Sequence, residues 1–390
     1  MCCLPDHGPG SPIGMLIARI ANFVHATSGG LRTALRELGR GYLEAGHEAV
    51  LIVPGAVASD EQTDYGRVIT LPGPMVPGLG GYRVLLNRIA VGGLLRRLEP
   101  DRIEVHDRST LRWTGAWARR AGVPALMVSH ESLDGLLRLY GPGPVGPWIA
   151  GALNRRTVAA FDTVVCTTGW AAREFTRFGG APLRVPLGVD LERFSPAFRD
   201  EECAGEVMLL HCGRLSAEKQ PHLSLNTLAE LRAGGIDAEL VVAGDGPLRE
   251  ALEAEAVARK LPARFLGYVG DPRGLLATAD VVLAPGPIET FGLAALEALA
   301  SGTPVVVRSE SALPEVIGQA GVAAEGDGAS FAAAARTLLD RPESERRAAA
   351  RAQAERFPWS RSVDGFLAAH RIPKAAPRFA RGAALPLPPG

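Results

Sequence analysis

The chain of 390 residues contains few lysines, few cysteines and no long apolar run. No stretch reaches the ~18 apolar residues that a membrane-crossing helix needs, which excludes a helical membrane span. The segment before Met15 lacks the apolar centre of a signal peptide. We therefore expect a cytoplasmic protein, long enough to bury two ordinary hydrophobic cores.

The cysteines indicate neither a disulfide framework nor a zinc site. They form no Cys-x-x-Cys pair, and their spacing fits no set of metal ligands. The five are Cys2, Cys3, Cys166, Cys203 and Cys212. The Asp-x-Asp pattern of carboxylate metal sites is absent as well. The sequence thus predicts reduced thiols, no metal and no resident cofactor.

Charge is unevenly distributed, although the formal net charge is zero. Residues 1–200 hold 22 arginines and no lysine against 18 acids, so their charge is near +4; the rest is near −4. Within 80–160 there are 12 arginines and 6 acids. This predicts a polyanionic or membrane-surface partner for the first half, and not a nucleic acid. A solvated basic face is the alternative.

Short buried strands alternate with helices along most of the chain, which predicts parallel sheets covered on both faces. In the first half we expect strands at 15–20, 48–53, 102–106, 124–129 and 163–167, and helices at 30–45, 82–98, 111–121 and 147–160. After a polar stretch at 195–206 the alternation resumes at 207–213, followed by strands at 239–243, 263–267, 280–284 and 304–307, and helices at 221–233, 247–259 and 291–300. The fold class is therefore α/β, with two Rossmann-like, doubly wound domains that face a central cleft.

Five segments follow from this pattern. We expect an acceptor-binding domain at 15–200, a donor-binding domain at 201–357, and a helix at 358–372 that packs back toward the first domain. The ends are an extension at 1–14 and a proline-rich, disordered tail at 373–390.

Ligands of open parallel sheets bind beyond the carboxyl ends of the strands. There Ser28-Gly29-Gly30 precedes a helix, so backbone N–H groups are free and no side chain blocks a phosphate. A plain turn is the alternative. The full G-x-G-x-x-G pattern is missing, and no acidic residue ends the second strand, which argues against a dinucleotide.

Two cations follow the first strand of the second half. Arg214 and Lys219 lie five residues apart, and Lys219 is one of only three lysines in the chain. An ammonium beside a guanidinium suits a diphosphate leaving group. Two solvated surface cations are the alternative.

Two glutamates with seven residues between them flank a predicted helix start at Phe291. Glu289 lies on the turn before the helix, and Glu297 lies two turns inside it. The first turn of a helix offers unpaired N–H groups and a positive dipole to a phosphate. One carboxylate can then reach sugar hydroxyls and the other a ribose diol.

At these residues the sequence resembles glycosyltransferase family 4 over about residues 15–370, a family with the GT-B fold. Its two-glutamate pattern matches Glu289 and Glu297, and its Gly-Arg…Lys pair matches Arg214 and Lys219. The resemblance implies a hexosyltransferase that retains anomeric configuration and uses a nucleotide sugar without a metal. It implies catalytic roles for His130, Arg214, Lys219 and Glu289, and donor contacts from Gly29, Gly30, Tyr268, Val269, Phe291, Gly292, Leu293 and Glu297.

Four further segments resemble the phosphatidylinositol-mannoside mannosyltransferases of that family: 28–34, 128–131, 162–169 and 186–190. This implies GDP-mannose as donor and a mannosylated inositol lipid as acceptor, on the inner face of the plasma membrane. Asp107 and Arg108 could then contact the acceptor, and His130 would lie over the reacting sugar. A histidine buried in the core is the alternative for His130.

The stretch 82–97 combines apolar residues with four arginines, among them Arg83 and Arg88. At helical spacing Leu85, Leu86 and Ile89 share one side. This predicts weak, peripheral binding to anionic bilayers, with each cation contributing about 1 kcal/mol to the free energy of binding. The alternative is that the apolar residues pack on the sheet. Two other functions stay open: a transferase with a small soluble acceptor, and a nucleotide-binding module without catalysis.

Overall fold

The computed structural model describes residues 14–24, 29–76, 81–141, 143–200 and 206–371. Apart from Gly14, the expected N-terminal extension lies outside the described residues, as do Ser28 and the expected proline-rich tail. Two sheets with mainly parallel strands confirm the predicted pair of α/β domains.

The first sheet has eight strands in the order β3-β4-β2-β1-β5-β6-β7-β8. Their bounds are β1 Leu16–Ile20, β2 Glu48–Gly55, β3 Ser59–Thr63, β4 Gly66–Pro72, β5 Arg102–Val105, β6 Ala125–Ser129, β7 Thr163–Cys166 and β8 Leu183–Arg184. The helices are α1 Gly30–Glu44, α2 Arg88–Leu98, α3 Trp113–Ala121, α4 Leu133–Leu139, α5 Gly146–Ala160 and α6 Gly169–Thr176.

An edge hairpin of β3 and β4 was missed by the sequence reading. Strand β3 runs antiparallel to β4, and Arg67 forms an ion pair with Asp60 across the hairpin, with Nε 2.7 Å from Oδ1. The β3 residues Ser-Asp-Glu-Gln-Thr have no apolar alternation, because an exposed edge strand does not need any.

The second sheet has six parallel strands in the order β11-β10-β9-β12-β13-β14. Their bounds are β9 Val207–Cys212, β10 Ala238–Ala243, β11 Ala263–Gly267, β12 Val281–Ala284, β13 Val305–Arg308 and β14 Val322–Ala324. The helices are α7 His222–Ala233, α8 Arg249–Ala258, α9 Arg273–Thr278, α10 Leu293–Ala300, α11 Leu313–Ile317, α12 Gly328–Leu339, α13 Glu343–Ala354 and α14 Trp359–Ala369.

The chain crosses between the domains twice, at neighbouring places. The N–H of Val189, on the outward crossing, donates to the Phe357 carbonyl at 2.9 Å, and Val189 pairs with Pro358. After this return, α14 packs against α1, where a Cβ at Gly41 would lie 2.2 Å from Val363. Glycine at position 41 therefore allows the close approach of the two helices.

One apolar core runs through both domains on the side of these crossings. It joins Leu38 of the first domain to Leu187 and Val189 on the crossing and to Leu296 and Phe366 beyond. The outer faces of the two sheets have cores of their own. The carboxyl ends of the central strands are left to form the cleft.

Candidate active site

The turn after β12 leads into α10 and shapes the centre of the cleft. Helix α10 begins at Leu293, two residues after the predicted start, and Gly292 precedes it with φ of 80°. A Cβ at Gly292 would lie 2.0 Å from the Leu313 side chain, so only glycine fits there. The N–H groups of Ala295 and Leu296 donate to the Gly292 carbonyl, whereas those of Leu293 and Ala294 have no partner within the helix and can meet an anion.

Lys219 and Glu289 meet at this turn. Lys219 ends a single helical turn, 217–219, that follows β9, and its Nζ donates to Oε1 of Glu289. Burial alone would lower the pKa of Lys219, but the charges of Glu289 and Glu218 outweigh it and raise that pKa. The ammonium therefore stays charged, and its position is set by a carboxylate.

The same 214–219 segment is contacted by two tyrosines of the first domain that the sequence reading missed. The Arg214 guanidinium lies 5.7 Å from the centre of the Tyr82 ring, within the range of a cation–π contact. The Tyr140 hydroxyl donates to Oε2 of Glu218 at 2.7 Å. Neither tyrosine belongs to a motif, so only the fold could reveal these contacts.

His130 lies at the end of β6 and begins a buried polar chain. Its Nε2 is 2.7 Å from Nδ1 of His106, and Nε2 of His106 is 2.7 Å from Oε1 of Glu104, away from the line of a straight hydrogen bond. Oε2 of Glu104 accepts from the Tyr42 hydroxyl at 2.6 Å and lies 3.0 Å from Nε2 of His370. His370, which follows α14 after the chain has returned from the second domain, therefore belongs to the polar network that supports His130.

Burial and the neighbouring His106 keep the imidazole of His130 neutral. Burial, followed by the neighbouring His106, lowers the pKa of His130 to about 3. Burial would raise the pKa of Glu104, but His106 and His370 outweigh it and hold that pKa well below its usual range. At neutral pH the His130 ring can therefore give or take a hydrogen bond as a neutral imidazole, and it is not an acid.

Hydrogen bonds between the domains fix the turn against His130. Oγ1 of Thr290 donates to the His130 carbonyl at 2.6 Å, and Oγ1 of both Thr167 and Thr168 donates to the Thr290 carbonyl at 3.0 Å. Nearby, the Glu315 carboxylate accepts from the backbone N–H of Trp170 at 2.6 Å. The cleft is closed on this side.

The glycine pair faces α10 across the cleft. A Cβ at Gly29 would meet nothing within 4 Å, and one at Gly30 would lie 3.7 Å from Cδ1 of Leu293. The open space beside Gly29 and the first turn of α10 therefore adjoin each other. That a diphosphate binds here, beside Arg214 and Lys219, stays a prediction.

A small pocket of about 110 Å³ continues from this place, with walls from both domains. It is lined by Thr33 and Glu37 of α1, by Arg193 and Pro272, and by Glu297. Burial, opposed by Arg193, raises the pKa of Glu297 to about 7. Glu297 therefore changes charge in the neutral range, and its contact with a ribose diol stays a prediction.

Comparisons with known proteins show the family of the chain. Residues 29–188 match the family model "Glycosyl transferase 4-like domain", and residues 206–341 match "Glycosyl transferases group 1". The GDP-mannose-dependent alpha-(1-6)-phosphatidylinositol dimannoside mannosyltransferase of Mycobacterium tuberculosis (strain ATCC 25177 / H37Ra) is 47% identical over 369 residues, 91% of this chain and 95% of that protein. The chain belongs to the glycosyltransferases.

Solved structures show the fold of this glycosyltransferase to be GT-B. Sucrose-phosphate synthase from Thermosynechococcus elongatus has a TM-score of 0.72 at 19% identity, covering 92% of this chain and 98% of that one. Anabaena Alr3699/HepE in complex with UDP and glucose has a TM-score of 0.68 at 16% identity, covering 91% and 98%. The family models and the 47% identical mannosyltransferase, and not these structures, show the protein to be a hexosyltransferase.

Two of the predicted donor contacts, Tyr268 and Val269, directly follow β11. Tyr268 is 61% exposed and does not line the small pocket, whereas Val269 packs partly against the core. Pro272, four residues after Tyr268, lines the pocket instead. That the backbone around Tyr268 and Val269 contacts the nucleotide of the donor stays a prediction.

Asp107 and Arg108 form hydrogen bonds within the protein, and their expected contact with the acceptor stays a prediction. Asp107 accepts from Asn22 at 2.9 Å and from the N–H of Ser109 at 2.7 Å. Arg108 donates to Glu174 at 2.9 Å, and both residues are buried. They hold the loop after β5 in place.

The predicted membrane segment is only partly exposed. Leu85 precedes α2 and lies in the core, so it does not share an outer face with Leu86 and Ile89, which are 55% and 85% exposed. Arg83 donates to the Gly73 carbonyl at 2.7 Å, and Arg88 lies 6.0 Å from the Trp113 ring centre. The common apolar side that helical spacing suggested is therefore wrong.

The described ranges contain neither a candidate metal centre nor a helical membrane span. There, no group of three or more His, Cys, Asp or Glu side chains could hold a metal ion. No described helix has both the length and the apolar character to cross a bilayer.

Proposed function

We propose that this glycosyltransferase moves mannose from GDP-mannose to a hydroxyl of a mannosylated phosphatidylinositol lipid, with retention of anomeric configuration. One observation carries the chemistry: the Lys219–Glu289 pair lies beside the open start of α10, which provides cations, amides and a carboxylate in one place. The choice of donor and acceptor is supported by the name of the Mycobacterium tuberculosis relative at 47% identity.

In this proposal the donor lies across the cleft with its ends held by different groups. The diphosphate meets Lys219, Arg214 and the first turn of α10, and the ribose meets Glu297 in the small pocket. Glu289 has one oxygen on Lys219, so its other oxygen is available to a mannose hydroxyl. The sugar is then oriented by the same carboxylate that positions the ammonium.

Retention is proposed to follow a front-face path. A double displacement needs a carboxylate at the anomeric carbon, and Glu289 is held at Lys219 instead. The acceptor oxygen therefore bonds to the anomeric carbon as the bond to the phosphate oxygen breaks, and that phosphate oxygen takes the acceptor proton. The products are GDP and the new α-glycoside. Positioning and charge stabilisation supply the rate.

The proposal requires no metal, because the leaving diphosphate gains charge where Lys219 and Arg214 already supply two cations. His130, neutral and held by His106, can hydrogen-bond the transferred sugar without competing for the proton. We place the enzyme at the cytoplasmic surface of the membrane, where a lipid acceptor would be available.

The test is transfer by the purified chain with phosphatidylinositol dimannoside in detergent micelles and GDP-mannose, UDP-glucose or ADP-glucose. We expect one added hexose by mass spectrometry with GDP-mannose alone, and an α linkage by NMR. Myo-inositol phosphate serves as the small soluble acceptor. Transfer only to that acceptor would exclude the lipid, and no consumption of any donor would indicate a binding module without catalysis.

A further inference from the structure

A groove of about 910 Å³ lies between the domains beside the 285–292 turn. Helices α4 and α6 of the first domain form one wall, and Pro287, Ile288 and Arg308 of the second domain form the other. Its volume is that of a pocket for a small molecule or headgroup. None of the predicted donor contacts lines it.

The groove carries more positive than negative charge. Four arginines line it, and two of them are neutralised locally: Arg177 by Asp134 and Arg308 by Glu310. Glu174, also in the wall, is paired with the buried Arg108. The guanidinium groups of the other two arginines, Arg138 and Arg173, form no hydrogen bond or ion pair with any described residue; it is the carbonyl of Arg173, and not its side chain, that accepts from Thr176. Two guanidinium groups are thus available to an anion.

The rest of the wall is apolar and aromatic. Trp170, Leu139 and Ile288 contribute to it. A ring such as Trp170 packs against the face of a sugar or cyclitol, and its polar edge can stay hydrated. The groove therefore combines what a ring-bearing phosphate ester needs: cations at one place and a flat apolar surface at another.

The groove also adjoins the point of transfer. Ile288 in its wall is the neighbour of Glu289 in the chain, and Ser132 in its wall follows His130 by two residues. A ligand held in the groove can therefore extend a hydroxyl toward Glu289 and His130 while its anionic group stays with the arginines.

We propose that this arginine groove binds the phosphodiester of the acceptor headgroup through Arg138 and Arg173, with Trp170 against its ring. This inference rests on the proposed function and names the anionic part of its acceptor. The helix pair α4 and α5 favours a lipid as the source of the phosphate. Val145, Trp148 and Ile149 are exposed where α5 follows α4, and Trp148 is 81% exposed. Such exposed apolar side chains mark a surface that contacts lipid or protein.

Steady-state kinetics with three acceptors test the groove. They are the micellar phosphatidylinositol mannoside, its deacylated glycerophospho form, and a phosphate-free alkyl mannoside. We expect Arg138→Ala and Arg173→Ala each to raise the acceptor KM about tenfold, and together about 100-fold, for both phosphate-bearing acceptors. The KM for the alkyl mannoside and for the donor stays unchanged.

Matched variants separate the groove from general surface charge. Arg156→Ala removes an equally exposed arginine from α5 outside the groove, and it should change no KM. Arg173→Lys keeps the charge and should recover part of the loss. If the variants raise KM only for the micellar acceptor, the arginines contact the lipid surface and not the headgroup, and the proposal is wrong.

Binding without turnover separates this inference from the proposed function. Calorimetry with the glycerophospho form should show binding by the wild type and a loss of about 100-fold in the double variant, and inorganic phosphate should compete only in the wild type. Equal binding by both proteins would refute the groove. A groove that binds in a chain that transfers no mannose would refute only the proposed function.

Discussion

The pH dependence of donor binding follows from Glu297. Its carboxyl lies in the small pocket, where burial raises its pKa to about 7. In the proposed site the ionised carboxylate accepts two hydrogen bonds from the ribose diol, and the protonated form cannot accept both. Donor affinity should therefore be high above pH 7 and should fall as the pH drops through 7.

The size of the effect follows from the fraction ionised. With a pKa of about 7, roughly one carboxyl in eleven is ionised at pH 6 and roughly ten in eleven at pH 8. The apparent Kd for the nucleotide sugar should then be about tenfold higher at pH 6 than at pH 8. Neither His130 nor His211 shares this range, because burial lowers their pKa values to about 3 and about 4.

Stability should show the same group with the opposite sign. Because the folded pKa lies above the ordinary value of 4.5, ionisation opposes folding: the cost is absent below pH 4.5 and reaches up to about 3 kcal/mol above pH 7. Glu297→Gln removes this ionisation. The variant should have a higher Tm than the wild type at pH 8 and a similar one at pH 5.

The assay is calorimetric titration with intact GDP-mannose from pH 6 to 8, because its diphosphate has no proton to exchange in this range, whereas free GDP does. Glu297→Gln should bind more weakly at pH 8 and lose the pH dependence. A wild-type affinity that is constant from pH 6 to 8, or a dependence that persists in Glu297→Gln, would refute the assignment of Glu297 to the ribose.

Three further outcomes test the transfer site. Lys219→Ala and Glu289→Ala should each lower kcat by ~100-fold with the Tm preserved. Lys260→Ala, at an exposed position, should leave kcat unchanged. A near-normal kcat in the Lys219 or Glu289 variant would remove the substituted residue from the site. Activity should persist in excess EDTA. A loss of activity that is reversed by added magnesium or manganese would contradict metal independence. His106→Ala should lower kcat about tenfold at unchanged donor KM, with recovery in His106→Asn; equal kcat in both would exclude positioning of His130.

The domain pair could be predicted because buried parallel strands are continuous apolar runs between helices. Strands near 207–212 and 280–284 and the turn before α10 were located for this reason. The polar edge strand β3 has no such run, and it was missed. The prediction that Leu85 and Leu86 share one helix face was wrong, because α2 begins only at Arg88. Leu85 lies in the loop before the helix, and its side chain is in the core.

The contacts around the cleft were less accessible to sequence reasoning. Glu289, Lys219 and Arg214 were selected by charge and spacing; the structure brings Lys219 and Glu289 together at the turn before α10 and Arg214 against Tyr82, but their roles stay predictions. The support of His130 could not be found in this way, since Glu104 and His370 are separated by 266 positions. Nothing in the local pattern of either residue indicates the other.

The double crossing has a consequence for synthesis on the ribosome. The first domain is complete only when α14 is in place, because that helix covers α1 and its following residue His370 reaches Glu104. The face of α1 around Gly41 therefore remains uncovered while the whole second domain is being translated. A nascent chain must carry this apolar surface for more than 150 residues of synthesis, and a chaperone that shields it would act before the protein is finished.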